Sequence, residues 1–394
     1  MDVIDTQIEL ESFGITSERG FLSSFDPSDI VLPDALQPVR DVAMNLPAIL
    51  LTGDVRRRLK AVPQPDMGSF LAVASDAQKR IAMVHYAFMV QSWVWGEPDA
   101  PQSLPANLAV PIWQLAKDLG QQPLLPYSGY VLDNWARIDR DGPVDLSNTH
   151  MIQQFLGGQD ENWFVTIHVA IEARAGEALA AIPDLIHAAA EADMAAIEAG
   201  LGTISAVWSD INAIFDRMPE RCEPYMYFNR VRPWIHGWKD NPALGEGLVY
   251  EGVAETDGRP QAFRGQTGSQ SSIMPTMDAL FAIGHAADPL RMFLDELHIY
   301  RPPAHRRFID IVRARSTLRQ RLAHQGNAAQ KALYNECVEK LAAFRSKHLE
   351  YAASYINRQG HGGKGNDTEV GTGGTPFMKY LKKHRDEARK HLLD

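Results

Sequence analysis

Apolar and polar positions follow a helical period over most of the chain. Residues 161–217 are rich in Ala, Glu, Leu and Ile, which favour helices, with breaks predicted at Pro183, Gly200 and Gly202. Strand patterning is sparse, and residues 247–253 are the clearest strand candidate. Further helices are predicted over residues 74–95, 107–119, 276–298, 303–323 and 326–358, and over the last basic segment. The pattern predicts a mainly α protein.

The first 148 residues differ from the rest because proline and glycine interrupt them repeatedly, so that only short helical stretches fit between the interruptions. A chain of 394 residues is long enough for two domains. We therefore predict a smaller, irregular, mostly helical N-terminal domain over residues 1–148. A large all-helical domain is predicted over residues 149–394.

Charge and cysteine content narrow the class of function. The formal net charge is −10, from 39 Lys and Arg against 49 Asp and Glu, so no nucleic-acid partner is expected. With Cys222 and Cys337 as the only cysteines, a metal would depend mainly on imidazole or carboxylate ligands. There is no run of 18 apolar residues and no signal-peptide pattern at the start. We expect a cytoplasmic protein with no membrane partner, as a monomer or small homo-oligomer.

Two histidines occupy inward-facing positions of predicted helices. His348 follows Leu341 and Phe344 on the apolar stripe of residues 326–358, and His168 shares a face with Phe164. A lone histidine there is more often a hydrogen-bonded core residue, but it can also be an axial ligand of iron. The pair His168 and Glu172 could be half of a carboxylate-bridged iron site, but no second half is evident in the sequence.

Two further segments could bind a ligand. Arg232 lies in a segment dense with Tyr and Trp, which suits a planar substrate that carries a carboxylate. The alternative is a buried arginine in a structural salt bridge. The glycine-rich residues 359–374 could bind a ligand through backbone N–H groups or serve as a flexible connector. No nucleotide-binding glycine motif, HExxH, CxxC or GxSxG sequence is present.

A more specific signal comes from eight segments taken together, in their order and spacing. They are VWGEPDAPQSLPANLAVPIWQLAKDLG (94–120), YSGYVLDNW (127–135), VRPWIHGWKDNP (231–242), GLVYEG (247–252), FRGQTGSQSS (263–272), RPPAHRRF (301–308), FRSKHLEYAASYI (344–356) and GTGGT (371–375). Together they resemble the indoleamine 2,3-dioxygenase family of haem proteins. The likeness runs from about residue 45 onward.

The resemblance implies a helical domain that binds haem b, and a small N-terminal domain that caps the distal side of the haem. His348 matches the proximal iron ligand, and Arg345 matches a residue near a haem propionate. Gly265, within FRGQTGSQSS, is assigned to cofactor binding. Arg232 matches the arginine that binds the tryptophan carboxylate, and Thr372 matches the threonine of the loop that closes over the substrate ammonium group.

The resemblance also implies that Tyr127, Phe164 and Tyr227 line the indole pocket. Two positions depart from the animal-type pattern. His168 stands where a serine is usual and resembles the histidine of the related tryptophan 2,3-dioxygenases, which hydrogen-bonds the indole N–H. Tyr227 stands where phenylalanine is usual, and its added hydroxyl needs a partner, so the substrate could carry a polar ring group.

The function implied is a haem dioxygenase that uses dioxygen to open the pyrrole ring of L-tryptophan, or a close indole derivative, to N-formylkynurenine. In such an enzyme His168 and Arg232 act on the substrate directly. Two alternatives stay open: a haem oxygenase acting on another indole in secondary metabolism, and a haem-binding sensor or carrier without turnover.

Overall fold

Helices make up most of the protein, which confirms the predicted fold class. The computed structural model describes residues 8–284, 289–359, 371–372 and 377–394. Within these ranges the helices are α1 (Gln37–Met44), α2 (Leu46–Leu50), α3 (Val55–Lys60), α4 (Met67–Val73), α5 (Asp76–Trp95), α6 (Ala106–Leu119), α7 (Gln159–Ala180), α8 (Ile182–Glu191), α9 (Met194–Asp216), α10 (Pro224–Met226), α11 (Ile273–Leu280), α12 (Pro289–His298), α13 (Pro303–Arg315), α14 (Leu318–Gln325), α15 (Ala328–Ala352) and α16 (Phe377–Arg389).

Short strands form two small ladders among the described residues. The strands are β1 (Ser103–Leu104), β2 (Trp135–Arg137), β3 (Thr149–Met151) and β4 (Val249–Tyr250). Strand β1 pairs with β4 in parallel, and β2 pairs with β3 in antiparallel. The strand predicted over residues 247–253 is therefore only two residues long, because the chain turns directly after Tyr250. No described helix combines the length and the apolar character needed to cross a bilayer.

Side chains pack into two hydrophobic cores. The first is built mainly from α1–α6, and Trp238 and Tyr250 from the second half of the chain also pack there. The second is built mainly from α7–α9, α11 and α13–α15, and Phe13 and Phe21 from the first segment contribute to it. Each core thus receives side chains from both sides of residue 148. The division into domains at residue 148 stays a prediction.

Helix α15, which carries His348, begins at a capping box. The Asn327 side chain accepts from the backbone N–H of Gln330 at 2.9 Å, and the Gln330 side chain accepts from the N–H of Asn327 at 3.1 Å. Such a cap satisfies two backbone donors that the helix itself leaves without partners. The local sequence therefore fixes where this 25-residue helix starts.

Several predicted helix boundaries are wrong. The helix predicted over residues 276–298 is interrupted, because α11 ends at Leu280 and Ala282 adopts a left-handed φ of 53° that a helix cannot accommodate. The segment 303–323 divides into α13 and α14 at the extended Ser316. The predicted break at Gly200 and Gly202 is also wrong, since both lie inside α9. A side chain at Gly200 would collide with Leu185, so the glycine serves close packing of α8 and α9.

Candidate active site

A cavity of about 680 Å³ lies within the helical half of the protein. This volume is within the range of roughly 300–1,000 Å³ that ligand and cofactor sites occupy. Aromatic side chains in its wall are Tyr127, Phe164, Trp208, Phe215, Tyr227, Phe344, Tyr351 and Tyr355. Charged side chains in its wall are Asp278, Arg291, Asp295, Arg301, Arg313 and Arg345, and His298 also lines it. The cavity can therefore take a flat apolar ligand that carries anionic groups.

His348 projects from α15 into this cavity. Its ring lies edge-on to Phe215, with centroids 6.4 Å apart, and its nitrogens hydrogen-bond to none of the described residues. Burial lowers the pKa of His348 to about 4, so its imidazole is neutral at physiological pH. A neutral imidazole without a protein partner is the form that binds iron.

His168 projects into the same cavity from α7. Its Nδ1 lies 2.7 Å from the carbonyl oxygen of Phe164, so Nδ1 carries the proton and donates it. The other nitrogen, Nε2, is left as an acceptor. Burial lowers the pKa of His168, which keeps this acceptor available at neutral pH. A positive charge on His168 would in turn lower the pKa of His348, because both rings face one cavity.

The three aromatic residues predicted to line an indole pocket all lie in the cavity wall. The Phe164 ring is 4.7 Å from the His168 ring and 4.8 Å from the Tyr227 ring, measured between centroids. Tyr127 meets His168 edge-on at 6.3 Å. π-Helical turns begin directly after Tyr127 and at Tyr227. Such turns are frequent at functional sites, where they adjust the direction of a side chain.

Glu172 is a fully buried carboxyl group in the cavity wall, one turn beyond His168. The hydroxyls of Tyr127 and Ser271 donate to its Oε1 at 2.9 and 2.7 Å, whereas its Oε2 has no partner among the described residues. Burial raises the pKa of Glu172 to about 7. Helical spacing places Glu172 near His168, but its donors come from two distant segments that no local pattern connects.

Arg345 lines the cavity and forms a buried ion pair with Asp278. Its Nη2 is 2.6 Å from Asp278 Oδ1, and the arginine is 7% exposed. Its Nη1 is buried and has no hydrogen-bond partner among the residues that the structure describes. This donor suits an anionic group of a cofactor in the cavity. Sequence reasoning missed Asp278, because nothing in its own helix marks it as a partner for Arg345.

Arg232 is fully buried, with its guanidinium carbon 5.5 Å from the centroid of the Phe228 ring. It is not one of the described residues that line the cavity. Its charge nevertheless acts on Tyr227, which lies in the cavity wall, by lowering a pKa that burial raises. The role predicted for Arg232, binding a substrate carboxylate, stays a prediction.

Gly265 and Thr372 meet at the edge of the cavity. A side chain at Gly265 would lie 2.3 Å from the Gly237 nitrogen and 2.5 Å from the Thr372 oxygen, so close backbone packing requires glycine there. The Thr372 hydroxyl donates to the carbonyl oxygen of Gln266 at 2.6 Å, and Thr372 lines the cavity. Gly265 itself is not among the described lining residues, and its role in cofactor binding stays a prediction. Residues 373–375 of GTGGT lie outside the described residues.

These residues fit a haem group in three respects. His348 offers an uncommitted neutral imidazole, the aromatic wall suits a flat macrocycle, and Arg345 offers a buried donor without a protein acceptor. Arg301, which also lines the cavity and is 4% exposed, adds a further buried positive charge. Sequence reasoning missed the position of Arg301, because its only signal is that it begins the segment RPPAHRRF.

Comparison with known proteins agrees with this geometry. The sequence model of the indoleamine 2,3-dioxygenase family matches residues 9–391. The chain is 33% identical to indoleamine 2,3-dioxygenase 1 of Rattus norvegicus and to that of Mus musculus, in each case over 98% of this chain and 96% of the relative. It is 28% identical to a myoglobin of Haliotis madaka, over 97% of this chain and 98% of that protein. The chain therefore belongs to the indoleamine 2,3-dioxygenase family and is a haem-dependent oxidoreductase that acts as an indole dioxygenase.

Proposed function

We propose that the protein uses haem b and dioxygen to open the pyrrole ring of L-tryptophan, giving N-formylkynurenine. The observation that carries the proposal is the placement of two neutral imidazoles, His348 and His168, in the wall of one aromatic cavity. They project from two different helices and differ in their hydrogen bonding. His348 has no hydrogen bond to the described residues, whereas His168 has one nitrogen committed as a donor.

His348 is proposed to hold the iron through one ring nitrogen, and Arg345 to bind a propionate with its available Nη1. When bound, the haem supplies the dioxygen chemistry by which both oxygen atoms enter the indole ring. The protein excludes water from the cavity with the aromatic rings of Tyr127, Phe164 and Tyr227, and holds the indole between them.

His168 is proposed to orient the substrate through its Nε2, which accepts the indole N–H. The carbonyl of Phe164 holds the proton on Nδ1, and this fixes Nε2 as an acceptor before the substrate arrives. Arg232 is proposed to bind the substrate carboxylate, as the family resemblance implies, because it directly follows the π-helical turn that begins at Tyr227 of the cavity wall. Thr372 is proposed to contact the ammonium group, since it lines the cavity next to Gln266.

Spectra and product analysis test this proposal. We expect the purified protein reconstituted with haem to show a Soret band that shifts when L-tryptophan is added. Under reducing conditions in air it should form N-formylkynurenine, and the spectral shift should require Arg232. Absence of N-formylkynurenine from a protein that is loaded with ferrous haem would refute the proposed reaction.

A second candidate substrate is an indole that carries a polar group on its ring. Tyr227 favours it, because this residue lines the cavity and its hydroxyl forms no hydrogen bond with the described residues. A ring hydroxyl on the substrate would provide the missing partner. A hydroxylated tryptophan should then be turned over faster than L-tryptophan by the natural protein, and Tyr227→Phe should remove this difference.

The alternative of a haem-binding sensor or carrier without turnover is not proposed, because the chain belongs to a family of dioxygenases. A cytoplasmic location and a monomeric or small homo-oligomeric state stay predictions.

A further inference from the structure

Arg301 is a buried positive charge for which the described part of the protein provides no carboxylate partner. It lies between α12 and α13 and is 4% exposed. Its Nε donates to the carbonyl oxygen of Ser271 at 3.1 Å, and its Nη2 donates to that of Ser269 at 2.7 Å. These two neutral acceptors satisfy part of the guanidinium group but leave its charge uncompensated.

The other three arginines among the described residues of the cavity wall all have acidic partners. Arg291 pairs with Asp295 at 2.9 Å, and Arg345 pairs with Asp278 at 2.6 Å. Arg313 pairs with Asp310 at 2.8 Å. Among the described arginines of the cavity wall, Arg301 therefore differs from the others in having no acidic partner.

The charge on Arg301 is retained at physiological pH. Burial lowers the pKa of Arg301 to about 10, with a further contribution from the charge of Arg313, but this value is still far above neutrality. A buried charge without a counter-charge is strongly unfavourable. An anionic ligand in the cavity would remove that cost, so the environment of Arg301 is complete only when such a ligand is bound.

Arg301 and Arg345 both line the cavity, and neighbouring elements carry them. Asp278, the partner of Arg345, belongs to α11, which packs against α13. At the end of α13 the Ser316 hydroxyl donates to the carbonyl oxygen of Leu280 in α11 at 2.6 Å. Arg313 of α13 is close enough for its charge to act on Arg301. Two arginines thus line one cavity whose proposed ligand, haem b, carries two carboxylates.

We propose that Arg301 is a second propionate-binding residue, which holds one carboxylate of haem b while Arg345 holds the other. The inference rests on the proposed function, because it requires haem b in this cavity. Since the Arg301 guanidinium is already fixed by the carbonyls of Ser269 and Ser271, it loses little side-chain freedom when it binds an anion. The carboxylate of the substrate is the other anion that this residue could bind.

Esterification of the propionates separates these possibilities. The haem-free protein is titrated with protohaem IX and with its dimethyl ester, which lacks both carboxylates, and each dissociation constant is read from the Soret band. The variants are Arg301→Met, Arg301→Lys and, as a matched control, Arg306→Met. Arg306 also donates to a backbone carbonyl, that of Gly120 at 3.2 Å, but is not among the described residues that line the cavity.

We expect Arg301→Met to reduce the preference for protohaem over its ester by about 10- to 100-fold, as for loss of a charged hydrogen bond. Binding of the ester should change little, Arg301→Lys should keep most of the preference, and Arg306→Met should keep all of it.

If Arg301→Met weakens the binding of protohaem and of its ester equally, Arg301 only supports the backbone of Ser269 and Ser271, and the proposal is overturned. An unchanged preference with weaker L-tryptophan binding would assign Arg301 to the substrate and overturn it too. If the natural protein binds neither haem, the proposed function itself fails.

Discussion

The Glu172 carboxyl group should make the stability of the haem-free protein depend on pH. Burial raises its pKa from 4.5 in the unfolded chain to about 7 in the folded protein. Below about pH 4.5 Glu172 is protonated in both the folded and the unfolded protein, so the stabilisation from the raised pKa is fully present there. Between these two values the unfolded chain releases the proton while the folded protein keeps it. The free energy of unfolding should therefore fall as the pH rises through this window.

The size of the effect follows from the two pKa values. One pKa unit corresponds to about 1.4 kcal/mol, so the full shift is worth about 3 kcal/mol, most of which accumulates between about pH 5 and pH 8. Glu172→Gln keeps the acceptor for the Tyr127 and Ser271 hydroxyls but cannot ionise. The variant should be more stable than the natural protein at about pH 8, and this advantage should shrink toward pH 5.

Urea unfolding of the haem-free protein at a series of pH values measures this difference. Only the difference between the two proteins is diagnostic, because Glu161, whose pKa burial also raises to about 7, contributes to the pH dependence of both. Glu177→Gln is a suitable control, since Glu177 is exposed on the same helix. If the unfolding free energies of natural protein and Glu172→Gln run parallel with pH, the reasoning about this buried carboxyl group is wrong.

Four further outcomes are expected from the geometry of the cavity. His348→Ala should lose the Soret band on reconstitution with haem, and an unchanged band would exclude His348 as the iron ligand. His168→Ser should lower turnover by about 3- to 10-fold, as for one lost hydrogen bond, with haem loading intact; loss of haem would instead make His168 a ligand. Because burial lowers the pKa of His168, its protonation should decrease the turnover of the natural protein in acid, and this decrease should be absent from the pH profile of His168→Ser. Asp278→Asn should lower the free energy of unfolding by about 3 kcal/mol, because it leaves the charge of Arg345 buried without its carboxylate partner. Urea titrations measure this loss, and a loss below about 1 kcal/mol would contradict this account of the ion pair.

Helical periodicity correctly predicts that several cavity residues lie on inward faces. The spacing of Phe164, Leu341 and Phe344 places His168 and His348 at inward positions, and both line the cavity. The helical period is local, so a few turns of sequence are enough to show which face is apolar. The roles of these residues toward iron and substrate follow from the family resemblance and stay predictions.

Local reasoning fails where a distant contact decides the conformation. Glycine is a residue type that often interrupts a helix, yet Gly200 lies inside α9, where its lack of a side chain lets α8 and α9 approach closely at Leu185. Ala282 follows the end of α11 with a positive φ, although alanine is a strong helix former. At Gly200 the packing between two helices outweighs a preference worth about 1 kcal/mol.

The helical class, the inward faces of α7 and α15, and the family can all be recognised from the amino-acid sequence. These properties depend on short-range spacing and on motifs that keep their order along the chain. Two features are visible only in the folded protein: Tyr127 and Ser271 hydrogen-bond to Glu172, and Arg301 is buried without an acidic partner among the described residues. The sequence does not reveal them, because the desolvation and pairing of a charge depend on side chains that are distant in sequence and come together only on folding.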